Sequence, residues 1–135
     1  MIVEGGCYCG AVRYRAEGEP IFKGQCHCRA CQHVSGGGPN LFVLLPRDGF
    51  KYIAGAPKQY TRTDRALAVT REFCADCGTH LTTLRPGVDP VILKIGTLDD
   101  PSVFGGASAA VFVAEKQDFH VIPDGMPSFE GMPPM

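Results

Sequence analysis

The residues with the most chemistry to offer are seven cysteines in three clusters: Cys7-x-Cys9, Cys26-x-Cys28-x-x-Cys31 and Cys74-x-x-Cys77. An odd number cannot form a pure disulfide framework, so the clusters point to metal or thiol chemistry. Residues i and i+2 of a strand face one side, which lets Cys7 and Cys9 offer two thiolates to one ion. Cys74-x-x-Cys77 followed by Gly78 is a turn that bends two sulfurs around one metal. A tetrahedral zinc needs four ligands at about 2.3 Å, and the natural four are Cys7, Cys9, Cys74 and Cys77. Cys26, Cys28 and Cys31 then remain. Three protein ligands with one open position is the pattern of a catalytic zinc, and the open position can hold water or a substrate thiolate. Three alternatives stand beside this division. His27 or His33 could close the second site, the thiols could be metal-free redox cysteines, and Cys26 and Cys28 could pair with Cys74 and Cys77.

Short strands must position these clusters. Apolar and polar residues alternate in Ala11–Glu17 and from Ala68 to Phe73, and Leu41–Leu45 is an apolar run stopped by Pro46. Phe50–Ala54, Gln59–Thr63, His80–Leu84, Val91–Ile95 and Ala109–Val113 are further strand candidates bounded by Gly, Pro or Asp. Only single helical turns are expected, near Arg29–Val34 and near Asp99–Phe104, where Asp99 could cap and Pro101 suits a first turn. The 17 glycines and 11 prolines among 135 residues fit many turns and short elements. The fold class is all-β, one domain over 1–122 with an extended tail, 123–135, packed on it.

A net charge of −1 offers no broad attraction to nucleic acid or to an anionic membrane. No apolar run approaches the 20 or so residues of a membrane helix, and no secretory leader is visible at Met1–Gly6. A cytoplasmic protein with reduced thiols is the expectation. Arg29 and His33 flank the second cluster and could contact a substrate carboxylate or move a proton. Gly36-Gly37-Gly38 reads as a flexible loop or a lip over the cluster. His27 points away from a metal if its segment is a strand. His80 and His120 read as packing or surface residues, and Arg13 and Arg15 as solvent contacts.

Four segments carry a family resemblance: Gly5-Gly6-Cys7-Tyr8-Cys9-Gly10-Ala11-Val12-Arg13-Tyr14, Cys26-His27-Cys28-Arg29-Ala30-Cys31, Arg71-Glu72-Phe73-Cys74-Ala75-Asp76-Cys77-Gly78-Thr79-His80-Leu81 and Gly96-Thr97-Leu98-Asp99-Asp100-Pro101. Together they resemble the motifs of the glutathione-dependent formaldehyde-activating enzyme family. The resemblance implies an all-β fold of the β-tent type. It implies a structural zinc on Cys7, Cys9, Cys74 and Cys77, and a catalytic, partly occupied zinc on Cys26, Cys28 and Cys31. The implied activity is that of a carbon–sulfur lyase joining a small thiol such as glutathione to a small aldehyde such as formaldehyde, with His33 the candidate acid. The competing reading is a non-catalytic zinc module that binds protein. One departure stands out. Many members carry a Trp before a segment ending Asp-Gly-Leu-Pro, whereas this chain has no Trp and reads Asp118 to Pro127 there, with Phe119 the candidate to fill that place.

Overall fold

The computed structural model of the protein describes residues 1–133. Two sheets form it. Strands β1 (Ile2–Gly6), β2 (Arg13–Glu17) and β5 (Phe50–Ala54) make a three-stranded antiparallel sheet in the order β1-β2-β5. The second sheet has seven strands. They are β3 (Phe22–Cys26), β4 (Asn40–Leu45), β6 (Lys58–Thr61), β7 (Thr70–Phe73), β8 (His80–Leu84), β9 (Val91–Lys94) and β10 (Ala109–Val111), in the order β10-β3-β4-β9-β8-β7-β6. All-β is therefore the observed class, with one short helix, α1 (Arg29–Ser35). The named strands pair antiparallel except at one place, where β10 pairs parallel with β3.

Strand alternation divides the large sheet into two faces. Val43 lies opposite Leu93 and Leu93 opposite Thr82. This face joins Leu45, Leu81, Tyr14 and Ala16 in the main core between the sheets. Its one buried carboxylate, Glu72, accepts from Tyr52 Oη (2.9 Å), Gln59 Nε2 (2.9 Å) and Thr82 Oγ1 (2.7 Å). The other face carries Cys26, Phe42, Leu44 and Ile92, which pack with Cys31 and Val111 in a second cluster. Gly24 sits opposite Phe42, and a Cβ there would run into the rings of Phe22 and Phe42. A bulge between β7 and β8 lets Glu72 face Thr82 while Phe73 faces His80.

Strands β1 and β3 are absent from the sequence expectation. Ile-Val-Glu-Gly-Gly and Phe-Lys-Gly-Gln-Cys have glycines and polar residues where alternation would be read. The turn after residue 99 also differs. Asp100 caps the 3₁₀ turn Pro101–Phe104 by accepting from Ser102 N, and Asp99 instead forms a bidentate pair with Arg13 at 2.8 and 2.5 Å. Arg13 thus joins the first motif to the fourth rather than standing free in solvent. In the C-terminal stretch, Ala110 N donates to Pro127 O and Phe129 N to Ala110 O, both at 2.9 Å, so this segment runs along the outer edge of β10. Residues 134 and 135 of the expected tail lie outside the described residues. No helix among the described residues is long and apolar enough to cross a membrane.

Candidate metal centres and the cavity beside them

Cys7, Cys9, Cys74 and Cys77 converge with their Sγ atoms all within 4.8 Å of one another. Cys7–Cys9 and Cys9–Cys74 are 3.6 and 3.7 Å apart. Sulfurs at about 2.3 Å from one tetrahedral ion lie about 3.8 Å from each other, so the spacing fits zinc. Both halves are built alike. Gly10 and Gly78 follow the second cysteine of each pair with φ of 82° and 77°, and their amides close the turns onto Cys7 O and Cys74 O. Cys7 and Cys9 therefore meet through a turn beyond β1, not along a strand. Val12 N donates to Cys7 Sγ at 3.2 Å. Thr79 Oγ1 accepts from Tyr8 N at 3.1 Å and is thus free to donate to Cys77 Sγ at 3.2 Å.

The protons of this group are unevenly shared. Hydrogen bonds from the Thr79 hydroxyl and amide bring Cys77 down to about 5. Burial pushes Cys7 up, but the Val12 amide and the thiols of Cys9 and Cys74 outweigh it and lower the net value. For Cys9 the Ala11 amide lowers the thiol pKa, yet neighbouring thiols and burial together raise it to about 12. Four sulfurs this close cannot all ionise without a cation, and none is disulfide-bonded. The donor set suits a closed, structural ion.

The second group is Cys26 at the end of β3, Cys28 as the N-cap of α1, and Cys31 in its first turn, again within 4.8 Å. Cys31 N donates to Cys28 Sγ at 3.2 Å. Hydrogen bonds from Cys26 and Cys31 hold Cys28 far below the usual thiol range. Cys28 and Cys31, with burial, push Cys26 far up. Cys26 lowers Cys31, but Cys28 and burial raise it to about 11. The three sulfurs thus differ in how readily they ionise, with Cys28 the most acidic. Among the described residues no histidine joins the group, neither His27 nor His33. The carbonyl of Gly37 only accepts, so His120 Nε2 donates to it at 2.7 Å. His120 Nδ1 then accepts from Gln117 N and from His27 Nδ1 (3.0 Å), and His27 Nε2 accepts from Gln25 Nε2 (3.0 Å). This relay, with both rings neutral, ties the glycine loop to β3. His120 is thus a packing residue with a specific bonding role. His33 is exposed on α1. Arg29 is exposed too, with its guanidinium on Gln32 Oε1 and its amide donating to Glu115 at 2.9 Å. Phe119 is 72% exposed and meets His120 edge-on.

Two cations, Lys94 and Arg71, and the ring of His80 share the sheet face of the second group. Lys94 lies opposite Phe42, Arg71 opposite Thr83, and His80 opposite Phe73. Lys94 is only 8% exposed, and Nζ donates to Thr83 Oγ1 at 3.2 Å. Burial pushes it down to about 8, against the pull of Cys31. His80 stacks on Phe73 at 5.4 Å, and its buried Nδ1 has no hydrogen-bond partner. A cavity of about 400 Å³ opens here, lined by α1 residues, the Pro39–Leu41 segment, Gly78, Thr79, His80 and Lys94. Asn40 in its wall is the register partner of Cys26. Sequence reasoning missed Lys94 and Arg71. The available signal was a lysine inside the apolar run Val91-Ile-Leu-Lys-Ile95.

Known proteins bear on this site. A crystal structure of a Rhodobacter sphaeroides protein matches with a TM-score of 0.62 at 19% identity, covering 77% of this chain and 96% of that one, a likeness of fold. A Halomonas elongata protein provisionally named a glutathione-dependent formaldehyde-activating enzyme is 30% identical over 91 residues, which is 64% of this chain. The aligned stretch spans 58% of that relative's length. The family model for glutathione-dependent formaldehyde-activating enzymes matches residues 2–120, which include both cysteine groups and the cavity. The chain belongs to the glutathione-dependent formaldehyde-activating enzyme family.

Proposed function

We propose that the protein is a zinc-dependent, carbon–sulfur lyase-like enzyme that forms or breaks an adduct between a small thiol, such as glutathione, and a small aldehyde, such as formaldehyde. The observation that carries this reading is a group of three thiols with no fourth protein donor beside a cavity. Cys7, Cys9, Cys74 and Cys77 hold a structural zinc, and Cys26, Cys28 and Cys31 hold a second one. Zinc held by three thiolates supplies the positive charge that keeps an incoming thiol ionised at neutral pH. In the forward direction a bond forms between the substrate sulfur and the carbonyl carbon. The carbonyl π pair moves to oxygen, and the proton lost by the thiol ends on that oxygen. His33, exposed on α1, is the proposed carrier of this proton. The relay through His27 and His120 ties Gly37 to the residue next to Cys26.

The two sheets fit the β-tent description, with residues 1–122 as the domain and 123–135 as its tail, and reduced thiols fit the cytosol. Exchange NMR on zinc-loaded protein with glutathione and formaldehyde tests the activity. Faster interconversion of free and hydroxymethylated thiol is expected. No acceleration with any thiol–aldehyde pair, together with one zinc per chain removed by Cys74→Ser, would identify a protein-binding zinc module instead.

A further inference from the structure

We propose that Lys94, together with His80, forms a carboxylate-binding subsite in the cavity beside the three-cysteine group, so that the enzyme selects thiols that carry a carboxylate. The inference rests on the reading of that group as the thiol site, and it adds the chemistry of the substrate's other end.

The cavity wall contains hydrogen-bond donors and no acid. Its lining includes Lys94, His80 and Asn40, and no Asp or Glu. Lys94 makes one hydrogen bond, to Thr83 Oγ1, which leaves two ammonium protons without protein acceptors. Among the described residues no carboxylate lies within ion-pair distance of Lys94 or Arg71. The nearest buried carboxylate, Glu72, faces the opposite side of the sheet and has three donors already. His80 Nδ1 is buried and unpartnered in the same wall. A buried cation with two unused protons and a buried ring nitrogen with no partner are costly in a folded protein unless something fills them. An oxygen pair with negative charge fills both, because one oxygen can accept from the ammonium and the other from a ring N–H. Arg71 Nη1 approaches Thr83 Oγ1 at 3.4 Å and adds positive field behind Lys94. The apolar wall of Val34, Pro39 and Leu41 suits the short carbon chain that joins a carboxylate to a thiol.

Calorimetric titration of the zinc-loaded protein with 3-mercaptopropionate and with its neutral amide tests this. Wild type should bind the acid about tenfold or more tightly than the amide, the value of a charge-assisted hydrogen bond. Lys94→Met should erase that preference and leave the affinity for the amide unchanged. His80→Phe, which retains a ring against Phe73, should weaken the acid alone by a few-fold. Zinc content and amide NMR spectra check that each variant is folded. Equal affinity of wild type for acid and amide overturns the subsite. Equal weakening of both probes by Lys94→Met also overturns it, because Lys94 would then act on the thiol centre. An acid preference without turnover of any aldehyde rejects the reaction and leaves the subsite standing.

Discussion

Cys9 is an exposed cysteine on a turn, and replacing it with serine separates a structural metal from an accidental grouping of thiols. If no metal is held, the substitution removes an exposed sulfur and costs within about 0.5 kcal/mol, as surface changes usually do. If a metal is held, the cost has a different origin. Cys9 and Cys74 are 3.7 Å apart in space and 65 positions apart in sequence. Cross-linking a loop of that length lowers the entropy of the unfolded chain by about 4 kcal/mol at 25 °C in the loop-closure treatment, and metal affinity becomes folding free energy. Cys7, Cys74 and Cys77 still bracket the site in Cys9→Ser, so the zinc-saturated variant should lose a substantial part of this, up to about 4 kcal/mol when the ion is released. With a urea slope of about 2 kcal/mol/M, its midpoint should fall by up to about 2 M. Far-UV circular dichroism under reducing conditions reads this directly. A chelator should bring wild type down by about the same amount and move the variant much less. Equal midpoints for the two zinc-loaded proteins would refute the structural role of this group. A deficit that persists undiminished after chelation would refute the cross-link as its cause.

Three further outcomes follow from the same geometry. Cys31→Ser should keep the fold but lower bound zinc from two ions per chain to one in elemental analysis, and a loss of folding as large as that of Cys9→Ser would contradict the division into two sites. His120→Leu removes the acceptor of His27 Nδ1–H and the donor to Gly37 O. It should cost about 1–3 kcal/mol and speed amide exchange in Gly36–Gly38, and unchanged exchange there would show that the relay does not hold the loop. Burial takes Lys94 from its ordinary 10.5 to about 8, so its charge opposes folding below pH 8 and this cost fades as pH rises toward 10.5. Lys94→Met should then be more stable than wild type by about 2 kcal/mol at pH 7, allowing for the lost Thr83 bond, with the gain shrinking by pH 10 in urea titrations.

Much of the site was legible because cysteine spacing is a strong local signal. The two groups assemble from the clusters as read, although Cys7 and Cys9 meet through the Gly10 turn rather than along a strand. Strands with a clean local pattern, the alternation of Arg13–Glu17 and the apolar run within Asn40–Leu45, were legible for the same local reason. What was hidden depends on register between distant segments. Nothing near Lys94 in sequence says that it stands across from Phe42, on the face that holds Cys26. Asp99 looked like a helix cap because Pro101 follows it, but its partner Arg13 lies 86 positions away and Asp100 takes the cap. Strand β3 was missed because Gly24, which makes room for two phenylalanine rings, breaks its pattern.

The two faces of the large sheet differ in how completely their polar groups are satisfied, and that difference bears on function. Between the sheets, the buried acid Glu72 has three donors, and the Tyr14 hydroxyl meets Thr97 Oγ1 at 2.8 Å. That side is complete as structure. On the other side, three thiols crowd within 4.8 Å of one another, Lys94 has no acid within ion-pair distance and His80 Nδ1 lacks any partner. Each of these costs stability that an apolar replacement would recover. Their concentration on one face, around one cavity, argues against three independent defects. A cation held by the thiols and an anionic group held by Lys94 and His80 complete all three at once. An ion on Cys7, Cys9, Cys74 and Cys77, in the structural role proposed for it, would tie the first turn to the β7–β8 turn and offset that expense, independently of whether the open face is filled.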